Sequence, residues 1–102
     1  MTDESDKVFW NQVDAFIEQA NQACEAQEPS AVSAALLQAA ARFNAFVVAA
    51  SSIDRKEYIV EMEPSLNYLT DNYRQLLRDN LEDYREHYKI YIQAARDAET
   101  DD

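Results

Sequence analysis

Glycine is absent from all 102 residues of this chain, and there are only two prolines. Glycine supplies the left-handed turns, tight hairpins and phosphate-cradling loops on which nucleotide sites and many catalytic loops depend. Without it, the chain reads as helices joined by short breaks, here Glu28-Pro29-Ser30, Ser51-Ser52 and Glu63-Pro64-Ser65. The single cysteine, Cys24, excludes a disulfide within the chain. Its charged neighbours are acidic and disfavour a thiolate, so Cys24 is expected to be a small core residue. The single histidine, His87, has no Glu-x-x-His or His-x-x-x-His spacing around it, so no metal site is expected. No nucleophile–base pair or phosphate loop is recognisable, which argues against an enzyme, and no cofactor is expected.

Positive charge is scarce as well. Nine Lys and Arg stand against 20 Asp and Glu, for a net charge of −11 and an isoelectric point near 4.3. Such a field repels nucleic acid and anionic membranes, so neither is expected as a partner. The most apolar stretch, residues 34–50, is shorter than the roughly 20 residues of a membrane helix and contains Gln38, Arg42 and Asn44. The opening MTDESDK has no apolar run and does not read as a secretory signal. A soluble cytoplasmic protein is the expectation.

What remains is abundant: 47% of the residues are apolar and 11% aromatic. The expectation is a single all-α domain over residues 1–102, a helical bundle of three long helices and one short one. Short disordered acidic tails are expected at both ends, MTDESD and AETDD. Phe9, Val13, Phe16, Ile17, Ala20 and Cys24 fill one face of a first helix, capped by Ser5 or Asp6 and running to about residue 27. A second helix, about 29–52, places Val32, Leu36, Ala39, Phe43, Phe46 and Ala50 on one seam. Leu37, Ala41, Ala45 and Val48 occupy its other side. A helix apolar nearly all round must be covered on more than one face, which predicts a homodimer. Asp54 and Glu57 have capping-box spacing ahead of a short helix through Met62. A last long helix, about 64–98, carries Leu66, Leu69, Tyr73, Leu76, Leu77, Tyr84, Tyr88, Tyr91 and Ala95 on its apolar face. Phe16, Leu36, Phe43, Phe46, Leu69, Leu76 and Tyr84 are expected to be largely buried.

Residues 39–58, AAARFNAFVVAASSIDRKEY, resemble a small proteobacterial family of acidic helical proteins classed as a domain of unknown function. The resemblance implies a bacterial cytosolic setting and assigns no activity and no site.

The candidate binding residues come from charge placement. Arg74, Arg78, Arg85 and Lys89 fall within about 60° of one another at roughly 100° per residue. Acidic residues, Asp79, Asp83 and Glu86 among them, lie on the opposite flank. The basic line is expected to pair with carboxylates of its own assembly, with anion or partner binding as the alternative. Arg42 stands alone in the apolar second helix and would need a partner if buried. Asn80 and His87 interrupt the last apolar face, where polar groups often specify register; the alternative makes His87, with Asp83 at i−4, a metal ligand or acid–base residue. The favoured function is a non-enzymatic cytosolic interaction or accessory protein, homodimeric and working through a helix face. The runner-up is a small-molecule anion-binding protein using Arg42 or the basic line.

Overall fold

The computed structural model of the chain describes residues 3–100. It is all-α, with three long helices and one short one and no strand among the described residues. The long helices are α1 (Asp3–Ala23), α2 (Pro29–Ser51) and α3 (Arg55–Glu86). A π-helical turn at Lys89–Gln93 then leads into the short α4 (Ala94–Thr100). Of the tails expected at the two ends, residues 3–6 and 98–100 are helical, while 1, 2, 101 and 102 lie outside the described residues.

The chain divides into two compact units, Met1–Ser51 and Ser52–Asp102. In the first unit, α1 begins at Asp3, ahead of the expected cap, with Asp3, Glu4 and Asp6 in its first turn. Carboxylates there oppose the positive end of the helix dipole favourably. Its last turns tighten through Cys24 N–H to Asn21 O and Glu25 N–H to Gln22 O. Proline then opens α2, where its missing N–H costs nothing. By length and composition α2 is also the one described helix that could cross a membrane, although the charge of Arg42 stands near its middle.

In the second unit, Asp54 caps α3 through its carboxylate, which accepts from Glu57 N–H at 2.8 Å. Glu57 reaches back to accept from Ile53 N–H at 2.7 Å. The expected reciprocal cap is thus present, shifted one residue outward on its return arm. The short helix, however, is not where the prolines suggested. Pro64 lies inside α3, so Arg55–Glu86 forms one helix, and the short element comes at the end. Proline removes a single N–H and the bond it would make to the Val60 carbonyl, a loss that the strong helix formers on either side override.

Neither unit has an interior. Among the described residues none is buried. Phe16 is 56% exposed, Phe43 64%, Phe46 62% and Leu76 61%, with Leu36 and Tyr84 also exposed. Leu69 alone of the expected core set is partly covered. Cys24 is exposed too, against the expectation of a core thiol. The physical reason lies within each unit. Two helices in one layer leave their outer faces open, and a single helical run has no inside. The sequence pattern marked the faces that require burial, and neither unit buries them by itself.

Candidate functional site

The candidate basic residues sit on different elements. Arg42 is exposed in α2; Arg74, Arg78 and Arg85 are exposed in α3; His87 closes α3; and Lys89 opens the π turn. Helical hydrogen bonding runs on through the junction, with His87 N–H to Asp83 O and Tyr91 N–H to His87 O, both at 3.0 Å. His87 itself leaves helical geometry, at φ −119° and ψ 25°. The α-helical phase that aligned Lys89 with the arginines is therefore interrupted, and the line proper consists of Arg74, Arg78 and Arg85.

Arg85 meets its own neighbour, with Nε at 3.3 Å and Nη2 at 3.2 Å from Glu86 Oε1. Both side chains are well exposed, so the pair contributes under about 1 kcal/mol. Within the second unit no described carboxylate lies at ion-pairing distance from Arg74, Arg78 or Lys89. Arg42 likewise has no ion pair in its unit. Asn80, expected to specify register, donates to Leu76 O of its own helix at 2.8 Å. That bond answers its amide locally.

The described side chains do gather at the π turn. His87 Nδ1 lies 3.1 Å from Asp83 Oδ1 and 3.2 Å from Asp83 O. The Tyr91 hydroxyl donates to Asp83 Oδ2 at 3.2 Å. The Tyr91 ring packs 4.8 Å from Tyr84 and 5.7 Å from His87, centroid to centroid. The hydrogen bond to Asp83 holds the Tyr91 phenol above its ordinary range, helped by desolvation and by the negative charges of Asp83 and Tyr84.

The Asp83–His87 contact was visible as an i,i+4 spacing. Tyr91 was not, because eight residues of α-helix would rotate it about 80° away from Asp83. A π turn, with i→i+5 bonding, winds the chain less per residue and brings Tyr91 back toward that face.

A carboxylate holding an imidazole is half of a catalytic arrangement. The hydroxyl that joins it, the Tyr91 phenol, is committed to Asp83, and the histidine and aspartate are each about half exposed. The depression beside it is lined by Arg85, Glu86, His87, Tyr88, Lys89 and Ile90. These residues are consecutive, so it is the wall of one helical turn and not a cleft that excludes water. Among the described residues no group of three or more His, Cys, Asp or Glu could hold a metal ion.

Residues 9–85 match the model of a protein family described as a protein of unknown function, DUF3144. The chain belongs to this family. The match spans α2 whole, α3 but for Glu86, and α1 from Phe9 onward, so the family model covers parts of all three long helices, and the π turn and α4 lie beyond it. No curated protein and no solved structure matches the chain.

Proposed function

We propose that this DUF3144 protein is a non-enzymatic, cytosolic accessory protein that assembles as a homodimer and offers a helix face to another protein. What supports this is that neither unit buries a single described residue, although all three long helices carry apolar faces. At about 25 cal/mol per Å² of apolar surface, leaving rings such as Phe43 and Phe46 in water forgoes most of the folding energy available to the chain. A second copy supplies matching apolar faces by symmetry, whereas α2 has apolar residues on more sides than one neighbour covers. Arg42 near the middle of α2 favours a protein partner over a bilayer, since a charge at the bilayer centre costs about 2.5–3.5 kcal/mol on insertion scales.

Light scattering on the purified protein tests the reading. A mass near twice 11.7 kDa is expected, and Phe43→Glu should shift it toward the monomer. A monomer across a wide concentration range would remove the homodimer and leave burial between the two units as the only way to cover these faces. The second reading, a small-anion site, draws on Arg74 and Arg78, which have no ion pair in their own unit. Calorimetric titration with inorganic phosphate checks it, with loss of heat in Arg74→Ala expected if it holds.

A further inference from the structure

The charges of α3 are divided by its apolar stripe. The stripe runs through Met62, Leu66, Leu69, Tyr73, Leu76 and Tyr84, and all of these but Leu69 are exposed. At about 100° per residue, Lys56, Arg74, Arg78 and Arg85 fall within about 40° of arc on one side of it. Glu61, Asp79, Asp83 and Glu86 fall within about 60° on the other side. Glu63 departs from this division, Arg55 falls on the stripe itself at the helix start, and Glu57, Asp71 and Glu82 lie toward the back of the helix.

This division is unfavourable for a helix alone in water. It sets like charges at i,i+4, as in Arg74 with Arg78 and Asp79 with Asp83, where opposite charges would support the helix. The opposite-sign neighbours compensate little, through the exposed Arg85–Glu86 pair. Asp71 and Arg74, or Arg78 and Glu82, form no ion pair among the described residues.

A partner that meets the stripe inherits both flanks, and symmetry decides how they meet. In an antiparallel pair of identical helices, the two-fold axis sets each flank against its own copy, so arginine faces arginine. In a parallel pair the axis runs along the helices, and the basic flank of one copy meets the acidic flank of the other. We propose that α3 pairs in parallel with α3 of a second copy, stripe against stripe, each basic flank set beside the acidic flank opposite. The proposal rests on the homodimer reading and adds the element, the face and the direction.

Spin labels test it in a Cys24→Ser background. One variant carries a label at Val60→Cys and another at Glu82→Cys, both exposed positions away from the stripe. The two sites are roughly 33 Å apart along α3 at about 1.5 Å per residue. Light scattering comes first: a monomer overturns both the pairing and the homodimer reading. In a parallel dimer both labels give the same label-to-label separation, about 25–40 Å for side-by-side helices. An antiparallel dimer must displace at least one label from its mate by roughly 33 Å or more along the axis. That result, or separations far beyond 40 Å at both sites, overturns the parallel pairing and leaves the homodimer standing. The charge basis has its own readout. Arg78→Glu, counted twice by symmetry, should weaken the dimer roughly fivefold to tenfold at low salt. The effect should shrink near 1 M salt, where the screening length is about 3 Å. An unchanged dissociation constant at low salt would overturn the flank pairing.

Discussion

At the scale of single residues, the described side-chain chemistry concentrates where α-helical spacing fails. Asp83 engages both His87 and Tyr91, and the Tyr91 phenol is raised from the ordinary 10.0 mainly by its hydrogen bond to that carboxylate. The sign follows from which form Asp83 favours. A phenol that donates to a carboxylate is stabilised as the neutral acid, so the contact is present at neutral pH. It is lost as pH rises through the elevated Tyr91 value. In a 13C-tyrosine NMR titration, the Tyr91 resonance should titrate above 10.0, and Asp83→Asn should move it down toward 10.0. If Tyr91 titrates at 10.0 in the wild type and Asp83→Asn leaves it unmoved, the Asp83–Tyr91 bond does not persist in solution. Asp54 is the other residue with a single structural task. Its carboxylate satisfies the Glu57 N–H at the start of α3, so Asp54→Ala should lower stability by about 0.5–2 kcal/mol in urea denaturation.

At the scale of elements, helix existence and helix faces were legible while one junction was not. α2 was readable almost to the residue because proline opens it and a Ser-Ser pair closes it. The Asp54 cap was readable from its spacing to Glu57. The short helix was misplaced because Pro64 carries the same sequence signal whether it starts a helix or sits inside one, and only the continuity of α3 separates the two. The basic line was legible as far as Arg85 and no further, since a π turn has no sequence signature that periodicity can detect. These differences make Pro64 a sharp test. Inside a continuous helix, Pro64→Ala restores a hydrogen bond and relieves a clash, partly offset by the freer unfolded chain. A gain of about 2–3 kcal/mol in thermal or urea unfolding is expected. No gain would mean that the chain breaks near 63–64, as the sequence pattern by itself suggested.

At the scale of the whole molecule, the apolar faces need cover, and the proposed homodimer draws that cover from a second copy. Stability that comes from faces closing on a second copy obeys mass action, so the folded state should become more stable as protein concentration rises. Phe43 shows the size of the effect. At 64% exposure within the chain, its truncation in an isolated protomer removes little buried surface and should cost under about 1 kcal/mol. If the same ring is enclosed by a partner, Phe43→Ala leaves a cavity costing about 3–5 kcal/mol per copy. Differential scanning calorimetry across a hundredfold concentration range separates the two. The wild type should melt higher as concentration increases, and Phe43→Ala should lose most at concentrations where the wild type is paired. A melting temperature independent of concentration, with a large Phe43→Ala loss, would place the cover inside the chain. The same independence with a negligible loss would mean that α2 does not use this face at all.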